Sequence, residues 1–171
     1  MDYVILLLED KQVDKARAVL RDIKTEWLRN CRSDYRNNKI PFEEVMPDST
    51  TTEQELRFQA LIMGGTDAMF HNDGNMAFGE PSAEEALLAA KKLRPDSALA
   101  HYLLAMHYLG KHAFDKFETH MLESAQYVDK PMRPFLELWL DEKKYDRSGS
   151  FARVPEKQWK AFLEKLHGWL D

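Results

Sequence analysis

From Val13 the apolar residues fall at Val13, Ala16, Leu20, Ile23 and Trp27. Steps of three and four put them on one stripe of an amphipathic helix. Before it, residues 2 to 9 read as a short, largely buried helix, and Asp10-Lys11-Gln12 as a tight polar connection to an antiparallel partner. Residues 1–30 are therefore expected to form a helical hairpin. Pro41, Pro47, Asn37-Asn38 and the polar run Ser49 to Thr52 break the periodicity and predict a long connection over 31–52. Thr52 with Glu55 fits a capping box for a helix running through Leu56, Ala60 and Met63, which Gly64-Gly65 should weaken or bend.

After an irregular stretch from His71 to Pro81, a second capping box, Ser82 with Glu85, opens a helix that stops before Arg94-Pro95. Asp96 is the expected cap of the next helix, through His101, Leu104, Ala105 and Tyr108 toward Gly110. Phe114, Phe117, Met121, Ser124 and Val128 share a face of the one after it. Pro131 is expected at the first position of a helix carrying Met132, Phe135, Leu136, Trp139 and Leu140. Tyr145 to Val154 reads as a loop. Pro155 opens a last helix whose Trp159, Phe162, Leu163, Leu166, Trp169 and Leu170 make a wide apolar stripe, which must cap the helical stack or dock another chain.

The prediction is one all-α domain over 1–171. It is built of antiparallel helical hairpins stacked as a short, irregular array: 1–30, the connection 31–52, repeat-like helices over 53–131, and C-terminal helices over 132–171 with a capping last helix. Composition agrees, since 171 residues with 44% apolar content suffice for one core, and seven Gly and seven Pro are too few for a turn-dense β fold. The six-residue apolar run Tyr3 to Leu8 follows an aspartate and lacks a cleavage site, so no signal peptide is expected, and no run approaches a membrane span. One cysteine, Cys31, permits no internal disulfide, and a cytoplasmic location is the expectation.

A period is also present. Shifting by 34 residues pairs Ala83 with Phe117, Leu87 with Met121, Ala90 with Ser124 and Leu93 with Tyr127. On these residues the chain resembles the tetratricopeptide-repeat family in degenerate form. In the best-matching unit, about Ala98 to Pro131, His101, Leu104, Ala105 and Tyr108 fall on first-helix positions, and Phe117, Met121 and Ser124 on second-helix positions. His101 replaces a large apolar residue, Phe117 a small one, and the closing proline is two residues late. The resemblance implies a scaffold that binds a peptide or protein segment in a groove lined by each first helix, here at Leu99, Tyr102, Met106 and Leu109. The competing reading of those four residues is plain core packing.

Net charge is −5, which argues against a surface built wholly for phosphate-bearing partners. Between Lys11 and Lys39, however, nine basic residues face four acidic ones. If the second helix continued past Asn30, Arg29, Arg32, Arg36 and Lys39 would align as a cationic stripe. An ordinary solvated face is the simpler reading; an acidic protein partner is next, and nucleic acid is the weaker alternative.

Catalytic signals are sparse. His71-Asn72-Asp73-Gly74-Asn75 looks like a calcium loop until Met69 falls where the first carboxylate belongs. Four histidines, His101, His107, His112 and His120, crowd one hairpin, but their spacings of 6, 5 and 8 put no two on one helical face. His101 is read as packed and the others as surface or turn residues, with no metal or other cofactor. No glycine-rich phosphate loop, nucleophile elbow or HExxH is present. The expectation is thus a non-enzymatic protein-binding module, in a narrower version a bacterial inhibitor or immunity-type protein. Binding of an anionic ligand or nucleic acid through residues 11–39 is the alternative.

Overall fold

The computed structural model describes residues 1–31, 46–70, 81–128, 130, 132–140 and 154–171, apart from the side chains of 27–31, 70, 81 and 82. Every regular element among them is helical: α1 Asp2–Glu9, α2 Val13–Cys31, α3 Glu53–Phe70, α4 Pro81–Leu93, α5 Ala98–Gly110, α6 Phe114–Gln126, α7 Arg133–Glu137 continued by a 3-10 turn Leu138–Leu140, and α8 Glu156–Leu170. The all-α expectation holds. None of these helices is long and apolar enough to cross a membrane. The chain forms two compact units, Met1–Gly64 and Gly65–Asp171.

In the first unit, α1 and α2 pack with the first part of α3. Val4, Leu7, Leu8, Ala16, Leu20, Leu56, Ala60 and Met63 make one buried cluster. The 3-4 stripe of α2 supplies Ala16 and Leu20 to it, as its spacing requires. Tyr3 and Leu6 of α1 are exposed, so this helix is buried on one face and is not enclosed. Thr52 Oγ1 accepts the amide of Glu55 at 3.2 Å and caps α3 where the sequence placed a cap. Lys11, in the turn before α2, has φ 61°, a left-handed conformation that closes the turn.

Helix α3 runs through the double glycine to Phe70. A Cβ on Gly65 would stand 2.7 Å from both Cγ and Cδ2 of Leu87, so the glycine is there to let α4 approach. Two local expectations are corrected. The cap of α5 is Ser97, whose side chain accepts the Ala100 amide at 3.2 Å, and not Asp96. The helix expected from Pro131 begins at Arg133 with Met132 as its cap and Pro134 in its first turn. The irregular stretch His71 to Pro81 and the loop Tyr145 to Val154 lie outside the described residues except at their last members.

In the second unit, α5 is packed most extensively against α6, with α4 on α5 and α8 on α6. Ala83, Leu87 and Ala90 of α4 are buried, and so are Phe117, Met121 and Ser124, their counterparts 34 residues on. Beyond α6 the core turns aromatic. Phe117 lies with its ring centre 5.4 Å from that of Trp139 and 5.3 Å from that of Phe162, and Trp159 lies 5.2 Å from Phe162. The stripe of α8 is thus mostly consumed in packing, through Trp159, Phe162, Leu166 and Leu170, while Trp169 is exposed.

Candidate functional site

The polar groups of the second unit gather along α4, α5 and α6 in two clusters. In the first, Glu84 of α4 accepts hydrogen bonds from Tyr108 Oη at 2.7 Å and from Lys111 Nζ at 2.6 Å, and Lys116 Nζ stands 3.9 Å away. These donors hold the Glu84 carboxyl down to about 2, Lys111 and Tyr108 outweighing the opposing effect of burial. Burial first, and the hydrogen bond to Glu84 second, push the Tyr108 phenol up to about 12. Lys116 also places its ammonium 4.6 Å from the Tyr108 ring centre, a cation–π contact. His107 is wholly buried, packs edge-on against Tyr108 at 5.4 Å, and has Nε2 3.5 Å from Glu84. Among the described residues neither of its ring nitrogens has a hydrogen-bond partner. Burial and then the Lys111 charge keep it below the ordinary imidazole range.

The second cluster joins the start of α5 to α6. His101 Nε2 lies 2.8 Å from the Pro95 carbonyl, in the turn that leads into α5. Its Nδ1 faces Glu123 Oε2 at 2.7 Å and His120 Nδ1 at 3.4 Å, and His120 Nδ1 is 3.0 Å from the same carboxylate oxygen. Lys91 of α4 reaches Glu123 Oε2 at 3.3 Å. The ring of His120 stacks on Tyr108 at 5.4 Å with 9° between planes, and Tyr127 lies 5.7 Å from His101. Burial and then Lys91 hold His120 down to about 4. Burial opposes ionisation of Glu123, but the charges of His101 and Lys91 outweigh it and lower its carboxyl.

This arrangement differs from the sequence reading of the histidines. His101 is packed as expected, yet His107 and His120 are buried as well, and only His112, in the α5–α6 turn with φ 56°, lies at the surface. The reason is geometric: spacings of 6 and 19 residues are unrelated on one helix but converge when two helices face each other. Glu123 completes the group as the i+3 neighbour of His120.

The four residues singled out on α5 have a common character. Leu99, Tyr102, Met106 and Leu109 are half-buried, while every other residue of the helix except Gly110 is buried. Tyr102 lies edge-on to Phe135 at 6.4 Å, which extends the apolar strip onto α7. Leu109 also lines a cleft of about 470 Å³ with His112, Phe114, Lys116, Val154 and Gln158.

The basic segment is only partly in view. Lys11 pairs with Glu53 at 3.4 Å, Arg17 bonds Asp14 and the Thr51 carbonyl, and Lys24 is buried with its ammonium 3.3 Å from Gln59 Oε1. The Arg29 side chain and Arg32, Arg36 and Lys39 lie outside the described residues, as do Cys31 Sγ and His71 to Asn75. Compared with protein-family models, curated proteins and solved structures, the chain matches none.

Proposed function

We propose that this protein acts by binding a segment of another protein on the half-buried face of α5, without chemistry of its own. The observation that carries the reading is the strip Leu99, Tyr102, Met106 and Leu109, the one apolar face of α5 that its neighbours leave partly open. Tyr and Met give such a face large adaptable contact area. Phe135 widens it, and the cleft beside Leu109 offers a pocket for an apolar anchor. The matching burial of α4 and α6 residues 34 positions apart supports a repeat-like, tetratricopeptide-type scaffold, and an inhibitor or immunity-type role is one use of it.

The test is quantitative co-purification from the native host with three baits: the unaltered chain, Tyr102→Ala with Met106→Ala, and Leu88→Ala, which alters an exposed apolar residue of α4 outside the strip. A stoichiometric partner kept by the first and third baits and lost by the second is the expected result. Retention of that partner by a folded double variant removes the strip from the function.

A further inference from the structure

We infer that His101, His120 and Glu123 form a binding site for one divalent transition-metal ion, of which zinc is the reference case. The inference is independent of the peptide-binding reading, because none of the three belongs to the open strip of α5.

His101 Nε2 is 2.8 Å from the Pro95 carbonyl, an acceptor, so an N–H belongs on that nitrogen and Nδ1 is the one left for a metal. Nδ1 faces a carboxylate oxygen 2.7 Å away and the Nδ1 of His120 at 3.4 Å, and it becomes a ligand once a metal displaces the proton on that side. The two ring nitrogens and the carboxylate oxygen lie within 4.8 Å of one another, so a single divalent cation can take all three in place of the protons between them.

The chemistry of the set is right for that cation. Two imidazole nitrogens and one carboxylate oxygen are borderline donors that suit zinc and its first-row neighbours, and three protein ligands leave a position for solvent. Donors about 2.0–2.1 Å from a tetrahedral zinc ion stand about 3.3–3.4 Å apart. The two ring nitrogens are 3.4 Å apart already, and Glu123, the most exposed of the three, has to withdraw by only some tenths of an ångström. A ligating histidine usually donates its other N–H to a carbonyl or carboxylate, which fixes the ring, and the Pro95 carbonyl does this for His101. The opposing feature is Lys91, whose ammonium shares the Glu123 oxygen and competes with the metal. Its side chain is 30% exposed and has solvent to swing into. An ion here would staple the start of α5 to α6.

The test uses the full untagged chain, stripped with chelator and titrated with zinc chloride at neutral pH, and with cobalt(II) as the spectroscopic probe. One ion per chain is expected, with visible cobalt bands of a low-symmetry, four-coordinate site. Glu123→Gln should weaken zinc by at least about 100-fold, since loss of even an outer-shell partner costs 10–100-fold. Lys91→Gln should tighten it, and His167→Gln, an exposed histidine on α8, should leave it unchanged. Because a buried histidine variant could fail to fold, ring resonances of the unaltered protein give a second readout: zinc should shift those of His101 and His120 and not those of His112 and His167. No saturable binding, Glu123→Gln binding as tightly as the parent chain, or shifts confined to His112 and His167 would overturn the assignment.

Discussion

The phenol of Tyr108 donates to a carboxylate oxygen of Glu84 at 2.7 Å, so that a residue near the end of α5 is tied to the first turn of α4. Tyr108 is buried, and its ring stacks on that of His120 and makes a cation–π contact with the Lys116 ammonium. Removing only the hydroxyl isolates the bond. Tyr108→Phe should cost about 1.5–3 kcal/mol in chemical denaturation, the range for a hydrogen bond to a charged group, with ring packing retained. An unchanged denaturation midpoint would mean that Lys111 alone satisfies Glu84.

The same carboxylate makes stability depend on pH. Glu84 is lowered from 4.5 to about 2 in the folded chain, so its contribution is complete above about 4.5 and is lost as pH falls from there toward 2. Being on the partly exposed side of the cluster, it should account for about 1–2 kcal/mol of the acid loss. Tyr108 is raised from 10.0 to about 12, so its contribution is full below 10 and fades as pH rises toward 12. Glu84→Gln should flatten the acid limb of the stability–pH curve, and Tyr108→Phe the alkaline limb.

Helix α8 tests whether its apolar stripe is spent on packing. Phe162 is fully buried against Phe114, Phe117 and Trp159, whereas Trp169 is half exposed. Phe162→Ala should destabilise by about 3–5 kcal/mol, the cost of an aromatic-sized cavity, and Trp169→Ala by less than about 0.5 kcal/mol. Comparable losses at both positions would show that Trp169 is covered in solution.

How far the sequence can be read is visible in particular residues. The stripe Ala16-Leu20 and the cap at Thr52 rest on local rules, periodicity and a side chain three residues from its amide, and both appear as expected. The choice between Asp96 and Ser97 as the cap of α5 turns on a single residue of register, and adjacent capping side chains cannot resolve it. The polar clusters depend on how far one helix is rotated against the next. Glu84 reaches Tyr108 and Lys111 across 24 and 27 residues, and His101 reaches His120 across 19. No spacing rule within one helix detects such a convergence. The available signal was His120 with Glu123 at i, i+3, facing a histidine in the first turn of the preceding helix.

Two glycines, both within helices, should respond in opposite directions to the same change. At Gly168 a new Cβ meets nothing within 4 Å, so Gly168→Ala gains helix propensity and should stabilise by up to about 1 kcal/mol, less for its place in the last turn. At Gly65 the Cβ would stand 2.7 Å from two carbons of Leu87 and 3.4 Å from the Ala83 carbonyl oxygen. Leu87 is itself fully buried, so its side chain can move only by displacing other core atoms. Overpacking of this kind costs about 1–3 kcal/mol and exceeds the propensity gain, so Gly65→Ala should lower the melting temperature. Gly65→Ala with Leu87→Ala should relieve the clash at the expense of a cavity. The two changes together should therefore cost less than the sum of the single losses, a coupling that a double-mutant cycle measures directly. Strict additivity would mean that α4 does not sit against Gly65.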